Sequence, residues 1–287
     1  MRKKRALLLL ALPLMVLGLS LWHTLQPKKV TYQGRPLSAW LKDMEGWSGD
    51  TNDPAFVAFR AMGTNAIPVL LGIMKSGGPP LQRTILEINR KQSLVNLPFG
   101  NPWYQTMAAS RALYAMGPKA KPALPVLKNL LFHTNALVTS AIALAGIGSD
   151  AVPVLLAALT NQCYRIRDSA ALGLGLEQED FDVVVPALIG SLSDNNRIVQ
   201  DNAVIALGEL HAKPELAVPA LMNDFSSNDA LHRSLVLISL GQFGVKGRAS
   251  LPVVTAALKD PDQDVRTAAS ATLKQIDAAF PSDAGSK

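Results

Sequence analysis

Hydrophobic residues recur along the chain at the period of a helix, in short segments separated by polar turns. Around residue 200, for example, Val199, Ala203, Ala206 and Leu207 fall at i, i+4, i+7 and i+8, which is a single helical face. Ala and Leu dominate these segments, and Ala has the highest helix propensity of all residues. We therefore expect an all-α chain that contains no β-sheet.

The helical segments recur along the sequence at one constant period. This period equals the number of residues from Pro153 to Pro186. A proline followed by an apolar run opens the first segment of each copy, and the second segment begins at a constant offset after it. Because proline is favoured at the first position of a helix, each proline is expected to begin one. The prolines are Pro153, Pro186, Pro219 and Pro252, and Pro125 precedes them with a shorter spacing. The second segments begin at Val138, Ile166, Val199, His232 and Val265.

The repeat runs from about residue 54 to 279, with an earlier copy around Pro68. Residues 23–53 precede it and are interpreted as a linker and an N-terminal cap, since the ends of a repeat stack need covering. An insertion at about residues 77–104 interrupts the repeat, and residues 280–287 are expected to form a disordered tail.

The repeat resembles the HEAT repeat, in particular the short form shared with phycobilin lyases. The shared pattern is Pro-x-Leu-x-x-x-Leu, a polar turn, Val-Arg, Ala-Ala and Ala-Leu-Gly, and its clearest copy runs from Pro252 to Leu273. The resemblance implies a right-handed α-solenoid of about six helix pairs, in which the second helix of each pair lines the concave side. The arrangement is also similar to exported HEAT proteins of bacteria. Because the motif is structural, it assigns no activity.

The first 22 residues predict a signal peptide or a transmembrane anchor helix. A basic tip, Met1 to Arg5, precedes the uncharged run Ala6 to Trp22, which as a helix would span roughly 26 Å. We favour the anchor over a cleaved signal, because the cleavage site after Ser20 is poor and Trp22 suits the membrane interface. The expected location is the cell envelope, either anchored in the inner membrane with the solenoid in the periplasm or exported.

Charge and cysteine content narrow the function further. The formal net charge is +6, but Arg2, Lys3, Lys4 and Arg5 supply four of the positive charges. The remainder of the chain is nearly neutral, so no nucleic-acid partner is expected. The single cysteine, Cys163, excludes an intramolecular disulfide and a cysteine-based zinc site.

The sequence contains no motif that indicates catalysis. The four histidines lack metal-binding spacing, and neither a nucleophile elbow nor a phosphate-binding loop occurs. His232 lies in a column otherwise held by Val or Ile, which favours a packed position. Asp168 and Asp201 share a column. They are interpreted as first-turn residues whose negative charge interacts favourably with the helix dipole. We therefore expect no enzyme activity, no catalytic residue, no cofactor and no metal.

Two surfaces are candidates for binding. The first is a polar ladder along the concave groove, suited to an acidic partner because arginine is enriched where interfaces bind tightly. Its residues are Arg167, Asp168, Gln200, Asp201, Arg233 and Arg266. The alternative interpretation is that these arginines form solvated pairs with Asp168 and Asp201 between repeats. The second surface is the aromatic part of the insertion, with Phe99, Trp103 and Tyr104.

These observations favour a protein–protein interaction scaffold that binds a macromolecular partner outside the cytoplasm. The identity of the protein partner is not encoded in the repeat. One alternative is a phycobilin-lyase-like or other enzyme-associated HEAT protein, and a further alternative is nucleic-acid binding. The predicted export segment and the nearly neutral solenoid argue against both.

Overall fold

The computed structural model describes residues 30–76, 102–133, 136–177 and 179–277. The predicted signal or anchor segment (1–22), most of the insertion, including Phe99, and the predicted tail (280–287) lie outside the described residues. Among the described residues no single helix is long and apolar enough to cross a membrane. Only Pro54–Ala61 and Thr64–Lys75 together meet that criterion, and they are bent by 102° where they join.

The described chain opens with a small hairpin, so the expectation of no β-sheet is wrong at this one place. Strand β1 (Thr31–Tyr32) pairs antiparallel with β2 (Arg35–Pro36). The turn between them has positive φ at Gln33 (49°) and Gly34 (74°), and glycine adopts that conformation without steric cost.

All remaining regular structure in the described ranges is helical and forms two layers behind a short cap. The cap contains α1 (Leu37–Glu45), and α2 (Pro54–Ala61) follows it at the start of the predicted repeat; both helices pack on α4. The outer helices are α3 (Ile67–Ser76), α5 (Leu124–His133), α7 (Val152–Leu159), α9 (Phe181–Ser191), α11 (Pro214–Asp224) and α13 (Leu251–Ala257). The inner helices are α4 (Pro102–Met116), α6 (Leu137–Ile147), α8 (Tyr164–Gly175), α10 (Arg197–Leu210), α12 (Ala230–Gln242) and α14 (Gln263–Asp277). Short 3₁₀ segments at Thr64–Ala66, Gly117–Ala123 and Gly244–Ser250 lead into α3, α5 and α13.

The stack curves toward its inner layer. Consecutive inner helices pack directly against one another, whereas consecutive outer helices contact each other far less. Glycine permits the close approach of the inner helices at Gly175, Gly208 and Gly241, which follow one another at the period of the repeat. A Cβ on Gly208 would lie only 2.7 Å from the Cβ of Ser239 in the next inner helix. The closely packed inner layer therefore forms the concave side.

The core lies between the two layers and follows the period of the repeat. Leu174, Leu207 and Leu240 occupy one column and are fully buried, while Leu273 in the last inner helix is partly exposed. Truncation of such a leucine to alanine costs about 2–5 kcal/mol. In α1, which lies in the predicted cap, Leu37, Trp40 and Met44 are also buried.

Two details of the predicted register are wrong. Pro186 and Pro219 lie inside α9 and α11 rather than at their first positions, because these helices begin about one turn earlier at Phe181 and Pro214. Val138, assigned to the buried column, is 39% exposed, and Leu137 is buried in its place. The shorter spacing before Pro153 therefore displaces this copy by one position.

Candidate functional site

Arg167, the predicted groove arginine of α8, is buried and binds groups of the stack itself. Arg167 is only 9% exposed. Its Nε and Nη2 donate to the two carboxylate oxygens of Asp194, each at 2.7 Å, and Nη2 also donates to Asn195. Nη1 donates to the carbonyls of Asn161 and Gln162, in the turn before α8. Arg167 therefore joins two consecutive turns, an arrangement that we call a turn clamp.

The turn clamp recurs two repeats later. Arg233 donates from Nε and Nη2 to Asp260 at 3.0 and 2.8 Å, and from Nη1 to the carbonyl of Ser227 at 3.0 Å. Hydrogen bonds from Arg233 hold the pKa of Asp260 below its ordinary value, and Arg167 has the same effect on the pKa of Asp194. The paired side chains are only 10–13% exposed, so water screens them little.

In the repeat between these clamps, other side chains replace the clamp arginine. Gln200 stands in the arginine column, and its Nε2 donates to the carbonyl of Asp194 at 2.5 Å. Arg197 makes the contact to the next turn instead, because it donates to Gln200 Oε1 at 2.7 Å and to Ser227 Oγ at 2.8 Å. The junction is therefore closed by two side chains where its neighbours use one.

Arg266 in α14 forms half of a clamp. Its Nη1 donates to the carbonyls of Asp260 and Pro261, at 2.7 and 2.9 Å, in the turn before its own helix. Within the described part of the chain, no turn of a following repeat supplies it with a carboxylate.

The interpretation of these arginines as solvated partners of Asp168 and Asp201 is therefore wrong. The guanidinium groups of Arg167 and Arg233 point into the turns, where Asp194 and Asp260 accept both prongs of the fork. An acidic partner would have to displace a buried carboxylate to reach them. The structure brings the arginine column together as a structural element rather than as an open groove.

Asp168 and Asp201 face inner helices of the next repeat, and neither lies in the first turn of its helix. Asn202 donates a hydrogen bond to Asp168. Burial raises the pKa of Asp168, against the opposing effects of that hydrogen bond and of the Arg165 charge. The interpretation of these residues as partners of the helix dipole is therefore wrong, because each sits one turn too far along.

Asp201 belongs to a buried Asp–His–Asp cluster. The imidazole of His232 is fully buried, with Nδ1 2.6 Å from Asp201 Oδ1 and Nε2 2.8 Å from Asp224 Oδ2. Burial lowers the pKa of His232, but the hydrogen bonds to Asp224 and Asp201 outweigh it and raise the pKa above its ordinary value. The cluster therefore favours the imidazolium, which joins α10, α11 and α12.

Two further charges surround this cluster. Arg197 Nε lies 3.4 Å from Asp201 and 3.5 Å from Asp229. Asp229 also caps α12, since it accepts hydrogen bonds from the backbone N–H groups of Leu231 and His232. Because His232 has no solvent exposure, a substrate cannot reach it, and the predicted packed position is confirmed.

A row of exposed apolar side chains, which the repeat pattern did not predict, lies along the inner layer. Each member stands in the first turn of an inner helix, and five successive inner helices contribute one or two. Its members are Trp103 and Tyr104 in α4, Val138 in α6, Tyr164 in α8, Ile198 in α10 and Leu231 in α12, with exposures between 39% and 65%. We call this surface the apolar row. In α14 the first turn carries Gln263 and Asp264 instead, so the row ends there.

The apolar row includes two residues of the second candidate surface, the aromatic part of the insertion. Trp103 and Tyr104 are 56% and 50% exposed and pack edge to face, with ring centroids 5.3 Å apart. They begin α4, so they lie at the N-terminal end of the row. The described part of the aromatic surface therefore belongs to the apolar row on the inner layer. Sequence alone gave a signal for the other end, because Ile198 and Leu231 are separated by one repeat period and precede a buried residue in each copy.

Among the described residues no group of three His, Cys, Asp or Glu side chains is arranged to hold a metal ion. Cys163 is an exposed free thiol in the turn before α8.

HEAT-repeat sequence profiles match the chain in two places. A profile described as HEAT repeats matches residues 124–208, and one described as HEAT repeat matches residues 251–278. The chain therefore carries HEAT repeats in both regions, as the sequence pattern predicted. No curated protein matches the sequence, so the likeness to phycobilin lyases stays a prediction.

Several solved structures are similar to this chain. Kap121p is 14% identical, with a TM-score of 0.52, and the match covers 83% of this chain and 29% of that one. An engineered protein (22% identity, TM-score 0.40) is matched over 61% of this chain and 91% of its own. Human deoxyhypusine hydroxylase (17% identity, TM-score 0.39) is matched over 93% and 99%. At this identity, the likeness to Kap121p shows the solenoid fold alone.

Proposed function

We propose that this chain is a protein-binding scaffold that holds an extended segment of its partner along the apolar row. The observation that carries the proposal is the exposure of one or two large apolar side chains in the first turn of five successive inner helices. Large exposed apolar patches on folded proteins mark interaction sites. HEAT-repeat solenoids commonly serve as protein-interaction scaffolds, and the fold supports the same use here.

The spacing of the row indicates the form of the partner. Packed helices lie about 8–10 Å apart, so five inner helices span roughly 35–40 Å. An extended peptide advances about 3.3 Å per residue, so every third side chain would meet the next member of the row. The fitting partner is a segment of about twelve residues with an apolar or aromatic side chain at every third position.

The turn clamps favour the apolar row over the arginine groove. Arg167 and Arg233 are bound to Asp194 and Asp260, so their reversal to Glu would unfold the junction before it tested binding. The row is exposed, and each anchor buried against a partner contributes about 1.5–3 kcal/mol. We place the scaffold in the cell envelope, because of the predicted export segment at residues 1–22.

A display library of twelve-residue peptides tests the proposal. Selection on the purified protein should enrich peptides with apolar residues at every third position. Ile198→Asp with Leu231→Asp should weaken the selected peptides at least tenfold, the effect of about 1.4 kcal/mol. The matched control is Val183→Asp with Leu216→Asp, two comparably exposed apolar residues one repeat period apart on the outer layer. Equal loss in both variants, or no periodic enrichment, would reject the apolar row.

A further inference from the structure

Charge is divided unequally between the two ends of the stack. Residues 54–76 and 102–133 contain six basic residues and no acidic residue, and residues 30–53 before them contain two basic and four acidic residues. Residues 161–277 contain 15 acidic and 10 basic residues. The nearly neutral average of the solenoid therefore conceals a positive N-terminal part and a negative C-terminal part.

Four of the six basic side chains are exposed and free of an acidic partner in the described chain. Arg111 points inward and donates to the carbonyls of Met44 and Glu45, and Lys121 pairs with Asp150 at 2.8 Å. The remaining four are Arg60, Lys75, Lys119 and Lys128, which we call the basic patch.

The basic patch extends from α2 onto the outer layer. Lys119 Nζ donates to the carbonyl of Arg60 at 2.9 Å, so these two residues are neighbours. Lys75 of α3 and Pro122 of the 3₁₀ segment line one groove, whose floor includes Ile67 and Leu71. Lys128 follows on α5, the next outer helix.

The chemistry of this surface combines positive charge with apolar contacts. Val69 is 43% exposed on α3, next to the exposed Pro68. No carboxylate of the same elements repels an anion. A surface of this kind is complementary to anionic lipid headgroups above an apolar interior, where each nearby basic residue contributes about 1 kcal/mol.

We infer that the basic patch docks the N-terminal end of the stack on an anionic phospholipid surface. The predicted anchor ends at Trp22 and the described chain begins at Val30, so the connection between them reaches at most about 29 Å. A membrane at that distance is more accessible to the patch than a nucleic acid. The inference does not depend on peptide binding by the apolar row, which lies on the inner layer and stays open to a partner.

Fluorescence quenching by headgroup-labelled lipids tests the docking. The full chain is reconstituted into vesicles, with a fluorophore on Asn129→Cys in a Cys163→Ser background. Asn129 is exposed beside Lys128. The native Cys163, labelled in the parent protein, provides a second probe in the turn before α8. The probe at 129 should be quenched on phosphatidylglycerol vesicles, and much less on phosphatidylcholine or at high salt, where screening shortens to about 3 Å.

Charge removal provides the matched comparison. The variant Lys75→Gln, Lys119→Gln, Lys128→Gln should lower the docking equilibrium roughly 100-fold, at about fivefold per charge. The control variant Lys246→Gln, Lys259→Gln, Lys274→Gln removes the same charge from exposed sites at the other end and should retain docking. Unchanged circular dichroism melting verifies that both variants fold.

Three results would overturn the inference. They are equal quenching on neutral lipids, equal loss of quenching in the two lysine variants, and displacement of the docked protein by a double-stranded oligonucleotide at physiological salt. The last result would identify nucleic acid as the partner of the basic patch.

Discussion

Replacement of His232 by valine should destabilise the stack, although valine is the ordinary residue of this column. Ile166, Val199 and Val265 occupy the equivalent buried positions. In the His232→Val variant, Asp201 and Asp224, whose side chains are only 20% and 19% exposed, lose the cation between them. Removal of one member of a buried charge cluster costs about 3–5 kcal/mol.

The repeat itself supplies the control. The positions equivalent to Asp224 carry Ser191 and Ala257, and Ser234 stands in the column of Asp201. A triple variant, His232→Val, Asp201→Ser, Asp224→Ser, removes all three charges together. Because replacement of a whole buried ion cluster is often neutral, we expect it to recover to within about 1 kcal/mol of the parent.

The cluster also predicts a pH dependence with a definite sign. The pKa of His232 is raised in the folded protein, so folding binds the proton more tightly. Its contribution to stability is therefore complete below about pH 6.5, the unfolded value, and is lost as pH rises through the folded value. The parent should lose stability between pH 6 and pH 9, and His232→Val should lose less.

Urea titrations followed by circular dichroism at these two pH values measure both effects. A cost below about 1 kcal/mol for His232→Val, or a triple variant no more stable than the single one, would refute the charged cluster. A parent protein that gained stability from pH 6 to pH 9 would refute the imidazolium.

Two further predictions concern the turn clamps and the N-terminal segment. Arg167→Ala should cost about 3–5 kcal/mol, because it leaves Asp194 buried without a partner, whereas the exposed Arg165→Ala should cost less than about 1 kcal/mol. Urea titration measures both costs. Because the pKa values of Asp194 and Asp260 are lowered in the folded protein, the contribution of the clamps to the free energy of unfolding should be present above about pH 4. It should be lost as the pH falls through the folded pKa values. Residues 1–30 fused to a reporter that is active only outside the cytoplasm should give activity, and an inactive, soluble fusion would contradict the predicted export.

The period of the repeat was sufficient to predict the helical stack and its core. Leu174, Leu207 and Leu240 are buried as their spacing required, because a helical repeat returns the same face to the same neighbour. The one displaced copy, at Val138, lies between Pro125 and Pro153, whose spacing is shorter than the period. Burial in a repeat is therefore readable wherever the period holds.

The partners of polar side chains were not readable in the same way. A column shows which residues share a position, but not whether a long side chain leans along its own helix or into the next turn. The sequence does contain a sign of these ion pairs. Asp194 follows Arg167 by the same number of positions as Asp260 follows Arg233. Where the column holds Gln200, the position equivalent to these aspartates holds Ser227, so the two positions change together.

The glycine column that draws the inner helices together has a consequence for assembly. One repeat period after Gly241 stands Lys274, which is exposed on α14 beside Gln263, Thr267 and Ser270. A helix arriving there at the same close distance would meet a charged side chain where the earlier ones met none. A helix of a second molecule would therefore pack on this side of α14 less closely than the inner helices pack on one another. Lys274 thus works against end-to-end growth into filaments, the hazard of any surface that matches its own opposite end.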